Sequence, residues 1–210
     1  TLTCASSGDG VYAFQNSGGL IGDVSGAGAI TVTNCAGSNL IVHSAGHSGG
    51  FFGKSGSPIR INESSGTSTV TIKSITQSNG IDSYSGNSAG GIIGYDVDSI
   101  IKNLTVSPVS GGTGIMLSSA KGGTGGLIGT SNPGVTTNAI TDCTINDLTV
   151  SGTRTSAVVG QYSPSSVKTV SITNVSVDGK TGSSTKAKVE RNTSSDVGTI
   201  IGYASKVNVT

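Results

Sequence analysis

The feature that most constrains the fold is a recurring five-residue word, Gly-Gly followed by two apolar residues and a final Gly. Clear copies occupy residues 18–22, 49–53, 90–94 and 125–129, and looser copies occupy 156–160 and 198–202. The copies recur every 31 to 42 residues, as their last positions show: Gly22, Gly53, Gly94, Gly129, Gly160 and Gly202. A word repeated at such a period is typical of solenoids and other repeat architectures.

A second recurring segment alternates apolar and polar residues and is rich in Val, Ile and Thr. Its copies lie at 29–35, 69–75, 99–104, 139–143 and 169–175. This pattern predicts β-strands, and no segment shows the periodicity of a helix. A single repeat is too short to bury its apolar residues, so repeats must stack coil on coil. We therefore predict one all-β domain over residues 1–210, a parallel β-helix of about six irregular coils.

Composition agrees with a thin core rather than a thick globular one. Only 33% of the residues are hydrophobic, 34 of the 210 are Gly, and Trp is absent. In this fold the flanking glycines of each word allow a sharp turn or a close approach of two backbones. The second apolar residue of each word should stack from coil to coil, at Ile21, Phe52, Ile93, Ile128, Val159 and Ile201.

Each strand segment contains a polar residue at a similar place. These residues are Asn34, Ser74, Asn103, Asp142 and Asn174. Equivalent positions stack in a parallel β-helix, and stacked amides hydrogen-bond along the axis while capping a turn. We predict a structural ladder of these five residues; a ligand-binding row is the alternative interpretation.

Two segments are predicted to project from the coil as Ser/Gly-rich loops, 110–124 and 178–197, and the loop 61–68 lies before the second strand copy. Loops tolerate variation and commonly carry binding groups, so one of the two projecting loops is expected to contact a partner. Among five Asn-x-Ser/Thr sequons, Asn62 and Asn192 fall in loops and are the expected glycosylation acceptors in a glycosylating organism.

Metal and catalytic chemistry find little support in the sequence. His43 and His47 are interpreted as exposed loop histidines, and Asp96 with Asp98 lacks a third ligand for calcium. The three cysteines are expected to be small buried residues, with a Cys4–Cys35 bridge as the alternative. Only 11 acidic residues are present, and they are scattered. We expect no enzyme, no catalytic residue, no metal and no cofactor.

Net charge and hydropathy argue against two kinds of interaction, nucleic-acid binding and membrane insertion. The net charge of +1 gives no electrostatic footprint for nucleic acid, and the apolar runs are too short for membrane insertion. Neither end of the sequence carries a polar cap. The terminal coils are therefore expected to pair with neighbouring copies or with flanking repeats of a longer chain, whereas surface glycans or host proteins would bind through the loops.

The glycine word, together with strands that end in Thr-Asn-Cys or Thr-Asp-Cys, resembles the GLUG-type repeats of large bacterial extracellular surface proteins. The resemblance spans nearly the whole chain, although the fifth and sixth words lack the leading Gly-Gly pair. It implies a β-solenoid stalk, an adhesin segment or a filament building block at the cell surface, without catalysis. A carbohydrate-binding or carbohydrate-cleaving β-helix and an ice-binding solenoid are the alternatives.

Overall fold

The computed structural model describes residues 2–3, 11–26, 28–38, 40–72, 77–79, 87–108, 115–134, 138–178, 188–191 and 196–210. Within these residues the chain is all-β, and every described strand pairing is parallel. The predicted β-solenoid is therefore confirmed. No helix in the described part of the chain is long and apolar enough to cross a membrane.

The strands form five sheets. The largest has nine strands: β1 (Leu2–Thr3), β5 (Ile30–Val32), β6 (Ala36–Ser38), β10 (Ile59–Ile61), β11 (Ser68–Ile72), β15 (Ser99–Pro108), β19 (Asn138–Asn146), β23 (Lys168–Asp178) and β27 (Val207–Val209). A four-stranded sheet contains β12 (Gln77–Asn79), β16 (Ile115–Ser119), β20 (Leu148–Gly152) and β24 (Lys188–Arg191). A two-stranded sheet pairs β2 (Val11–Ala13) with β7 (Val42–Ser44).

The glycine words build the two remaining sheets, each of six strands. One contains β3 (Asn16–Gly18), β8 (His47–Gly49), β13 (Ser88–Gly90), β17 (Gly123–Gly125), β21 (Arg154–Ser156) and β25 (Val197–Gly198). The other contains β4 (Ile21–Val24), β9 (Phe52–Ser55), β14 (Ile93–Asp96), β18 (Ile128–Ser131), β22 (Val159–Tyr162) and β26 (Ile201–Ala204). The coil count differs slightly from the predicted six: these two sheets have six rungs, but the four-stranded sheet contributes to only four, and the solenoid makes about four turns.

Each word folds into what we call a glycine arch: a short strand, a two-residue corner and a second short strand. In the third arch, β13 and β14 are the legs, and Gly91 with Ile92 forms the corner. The legs pack backbone against backbone, since a Cβ on Gly94 would lie 2.5 Å from the Gly53 carbonyl oxygen and 2.7 Å from the Ser48 nitrogen. Only glycine fits at position 94, because any side chain would overlap the neighbouring backbone.

The predicted stack of six apolar residues is confirmed. Ile21 pairs with Phe52, Phe52 with Ile93, and the register continues through Ile128 and Val159 to Ile201. The residue before each of these lies at the corner of its arch, and we call these six the corner column: Leu20, Phe51, Ile92, Leu127, Val158 and Ile200. Except for Leu20 and Ile200, which are exposed, the members of both columns pack into one core with the inward residues of the other sheets.

The fifth word shows how the arch tolerates a departure from Gly-Gly. Ser156 takes the place of the first glycine in the register. Its hydroxyl accepts a hydrogen bond from the Val158 backbone nitrogen and donates one to the Ile200 carbonyl oxygen. These two bonds satisfy backbone groups of the corner, so a side chain is accommodated where the other words have none.

The expected projecting loops are wrong in part. Within 110–124, β16 buries Ile115 and Leu117 and pairs with β20, so this segment forms a wall of the coil. Within 178–197, β24 pairs with the other edge of β20. The first segment supplies a strand with apolar residues at alternate positions, Ile115 and Leu117, whereas the strand of the second segment carries one apolar residue, Val189. Residues 110–114, 179–187 and 192–195, which include Asn192, lie outside the described residues.

Candidate functional site

Four of the predicted ladder residues share one corner of the nine-stranded sheet. Asn34, Asn103, Asp142 and Asn174 all have φ between 47° and 53°, the left-handed conformation that Asn and Asp tolerate best. Asn103, Asp142 and Asn174 follow one another in register, and the Asn174 side-chain amide donates a 3.0 Å hydrogen bond to the Asp142 carboxylate. The row turns the chain between two inward-facing residues.

Ser74 lies outside the described residues. The strand predicted to contain it, within 69–75, is not equivalent to the strands that precede the other ladder residues. β11 pairs with β6 and with the second half of β15, which follow the corner. The strand that precedes the corner in this coil is β10, which pairs with β5 and with the first half of β15. The predicted alignment of 69–75 with 29–35 is therefore wrong: the strand in the first segment follows the corner, whereas the strand in the second precedes it.

Asn62 follows β10 and does not lie on an exposed loop as expected. Its side chain is 1% exposed. Its amide nitrogen donates to the carbonyl oxygens of Lys102 and Asn103 at 2.9 and 3.1 Å, and its amide oxygen accepts from the Ser68 hydroxyl. The nitrogen that would carry a glycan is thus buried and occupied in the folded chain. This corrects the expectation for Asn62.

A polar seam runs along the mouth of the glycine arches, where the two legs of each arch diverge from the corner. We define it by two columns that face each other. The first column contains Asn16, His47, Ser88, Gly123, Arg154 and Asp196, and the second contains Asp23, Lys54, Tyr95, Thr130, Gln161 and Tyr203. The seam brings together charged, aromatic and amide side chains that are far apart in sequence.

Contacts across the seam are polar and aromatic. Asn16 donates a 2.7 Å hydrogen bond to the Asp23 carboxylate. The Ser88 hydroxyl donates to the Thr130 hydroxyl at 2.7 Å. Near the last coil, the Arg154 guanidinium donates to the Gln161 amide oxygen at 2.7 Å and lies 4.5 Å from the centre of the Tyr203 ring. The last contact is a cation–π pair.

His47 lies in the first column of the seam, between Asn16 and Ser88. Its ring lies 4.9 Å from the Tyr95 ring, and its Nδ1 atom is buried with no hydrogen-bond partner among the described residues. Burial lowers the pKa of His47 to about 4, with a further lowering by Lys54 and an opposing effect of Asp23. The imidazole is therefore neutral at pH 7. His43 and His47 both lie in strands, which corrects their interpretation as exposed loop residues.

Asp96 and Asp98 do not form an open calcium site. Asp96 is fully buried, and one oxygen of its carboxyl group, Oδ2, accepts hydrogen bonds from Ser99, Ser131 and Asn138 at 3.0–3.1 Å. The other oxygen, Oδ1, has no partner among the described residues. Burial raises the pKa of Asp96 to about 6, the three donors oppose that rise, and Asp98 adds to it.

Metal-ligand and thiol chemistry find no further support. The described residues contain no group of three or more His, Cys, Asp or Glu placed to hold a metal ion. Cys35 is half-buried and Cys143 is buried, both as free thiols, while Cys4 lies outside the described residues. Burial raises the pKa of the Cys143 thiol to about 11, so it remains protonated and unreactive at neutral pH.

The seam, the buried Asp96 and the correct strand alignment were not predicted from the sequence. The seam residues recur at the same offset from each glycine word, but their types change from coil to coil, so no repeated letter marks them. Comparison with known proteins adds no relative: no family model, no curated protein and no solved structure matches this chain.

Proposed function

We propose that this chain is a non-catalytic structural or adhesive segment of an extracellular β-solenoid, which extends by stacking its terminal coils on those of neighbouring copies. The observation that carries the proposal is the change in burial along the corner column. Its four inner members, Phe51, Ile92, Leu127 and Val158, are at most 1% exposed, whereas Leu20 is 42% and Ile200 is 38% exposed. The end members occupy the same place in the coil, but the described residues place a neighbouring coil on only one side of each.

Other features of the two ends agree with this proposal. Phe14 lies on the first coil, and Val197 and Val209 lie on the last coil; all three are exposed apolar side chains. The outer edges of β4 and β26 carry no paired strand among the described residues. Open strand edges with apolar flanks are templates for the addition of further strands.

Stacking would be head to tail. If β26 of one copy pairs with β4 of the next in the register of the inner coils, Ile201 falls beside Ile21 and the apolar column continues without a break. Such a contact joins two different surfaces, and it builds an open filament when the rotation does not close. A flanking repeat of a longer chain would make the same contact. The resemblance to GLUG-type surface repeats supports the extracellular location.

Carbohydrate binding is the second candidate, because the fold aligns two tyrosines that are far apart in sequence. Tyr95 and Tyr203 lie in one column of the polar seam, with Lys54 in the same column and Arg154 beside Tyr203. Aromatic rings beside cations and amides are suited to sugars and acidic glycans. Calorimetric titration with neutral and acidic oligosaccharides would separate this function from stacking alone.

The test of the main proposal uses Ile200→Lys. We expect the unmodified chain to form linear assemblies at high concentration in about 500 mM salt, where surface charges are screened. Lys at position 200 would place a charge in the apolar junction and weaken association at least about ten-fold. Light scattering measures the association, and electron microscopy shows its form.

Val167→Lys is the matched control, because Val167 is an apolar side chain, 64% exposed, that lies outside the corner column. It should assemble as the unmodified chain does. A chain that remains monomeric at every concentration would refute the proposal, as would equal assembly by the Ile200→Lys variant.

A further inference from the structure

Several contacts across the polar seam are offset by one coil, and we call this offset the diagonal rule. A first-column side chain contacts the second-column side chain of the following coil in His47–Tyr95, Ser88–Thr130 and Arg154–Tyr203, whereas the Asn16–Asp23 and Arg154–Gln161 contacts lie within one coil. The contacts are a ring pair, a hydrogen bond and a cation–π pair, so the rule does not depend on one type of chemistry. Three first-column residues thus meet the coil that comes after their own.

The last coil leaves one first-column residue without a following coil. Asp196 lies beside Arg154 in the register, with 3.6 Å between its Oδ2 and the Arg154 Nε. In a head-to-tail junction, the following coil is the first coil of the next copy, whose second-column residue is Asp23. The diagonal rule therefore places two carboxylates against each other.

We infer that the junction between stacked copies is under electrostatic control, because Asp196 of one copy faces Asp23 of the next. This inference rests on the proposed stacking. Each acid has a cation on its inner side, Arg154 for Asp196 and Lys54 for Asp23, while Asn16 donates to Asp23. His47, on which Asp23 also acts, is neutral at pH 7. The seam residues described at the junction itself, Asn16 and Tyr203, bring no cation.

The consequence is an association that strengthens with salt. Two like charges about 4–5 Å apart at a wet surface lower an association constant roughly five-fold, and salt removes most of this repulsion as the screening length shrinks. Stacking of the unmodified chain should therefore be weak in about 20 mM salt and stronger in about 500 mM salt.

The decisive variant is Asp23→Asn, which removes the charge and leaves an oxygen to accept the Asn16 hydrogen bond. We expect it to associate roughly five-fold more tightly than the unmodified chain in about 20 mM salt, with little further gain at high salt. Sedimentation velocity at both salt concentrations measures the two constants. Asp196→Asn removes the other charge and should act in the same direction, so a folding defect in one variant leaves the other as a test.

Asp142→Asn is the control for net charge. Asp142 is exposed on the side of the solenoid, in a left-handed conformation that Asn tolerates, and its substitution removes the same single charge. It should keep the salt dependence of the unmodified chain. Equal salt dependence in the Asp23→Asn and Asp142→Asn variants would overturn the inference but leave the stacking proposal standing, provided that Ile200→Lys still weakens assembly. Absence of assembly in every variant at both salt concentrations would overturn both.

Discussion

The buried carboxyl group of Asp96 contributes to stability with a pH dependence that is unusual for an acid, because its pKa is raised in the folded chain. Three donors satisfy Oδ2, but Oδ1 is buried without a partner among the described residues, and Asp98 is buried two residues away. Burial therefore favours the protonated acid in the folded state, which is why the pKa of Asp96 rises from 3.8 to about 6.

We predict that Asp96 contributes a loss of stability as pH rises from about 4 to 7, while His47, whose pKa is lowered to about 4, contributes in the opposite direction. A group with a raised folded-state pKa contributes its full stability below the unfolded value, near 3.8, and loses that contribution as pH rises through about 6. The shift corresponds to up to about 3 kcal/mol. Urea denaturation at several pH values, with Asp96→Asn beside the unmodified chain, measures it.

The Asp96→Asn variant should lack this contribution, since an amide does not titrate, so its stability should rise with pH relative to that of the unmodified chain. Its oxygen can still accept from Ser99, Ser131 and Asn138, whereas its NH2 group replaces the unpartnered oxygen and lowers stability at low pH by about 1–3 kcal/mol. Asp142→Asn, on the exposed ladder, should keep the original pH slope. A variant with an unchanged slope would show that Asp96 does not control this transition.

At the scale of the element, the glycine arch is held together by close backbone packing. We predict that Gly94→Ala lowers the free energy of unfolding by about 2–3 kcal/mol, because the new methyl group would overlap the Gly53 carbonyl oxygen and the Ser48 backbone. Gly134→Ala is the matched control, since a Cβ there meets no heavy atom within 4 Å. That variant should be neutral or slightly more stable. Similar melting temperatures for both variants would contradict tight packing of the legs.

The same element shows what the sequence can and cannot predict. Each coil contains a glycine word because the two legs of the arch pack too closely for larger side chains. The six words therefore predicted the repeat, the strands beside them and the correct stack from Ile21 to Ile201. The strand alignment around the corner failed because β10 has only three residues and is separated from β11 by an inserted segment, 62–67. The strands before and after the corner show the same alternation of apolar and polar residues. Only their pairing with strands of neighbouring coils distinguishes the two.

At the scale of the whole molecule, the seam could not be predicted, because its contacts join residues from different coils. His47 meets Tyr95, and Arg154 meets Tyr203, only because the coil lengths between them bring the two columns into register. The ladder was easier to predict, since Asn and Asp recur at its positions and suit a left-handed turn. A structural role repeats its residue types along a solenoid, whereas a surface changes them from coil to coil.

A solenoid derives its stability from contacts between neighbouring coils, and this gives the last prediction. Ile93 is fully buried between Phe52 and Ile128, while Ile201 has a neighbour on one side only, Val159, and is half-buried. Ile93→Ala should therefore lower the free energy of unfolding by about 3 kcal/mol, and Ile201→Ala by about 1 kcal/mol.

Urea denaturation of dilute protein in low salt, where the ends are free, measures this difference, and amide hydrogen exchange should show protection that declines from the middle coils toward both ends. Under conditions that favour stacking, Ile201 would gain a second neighbour, and the loss caused by Ile201→Ala should approach that of Ile93→Ala. Equal losses in dilute protein would mean that the end coils are as well supported as the middle ones, and the exposed corner residues would then need another explanation.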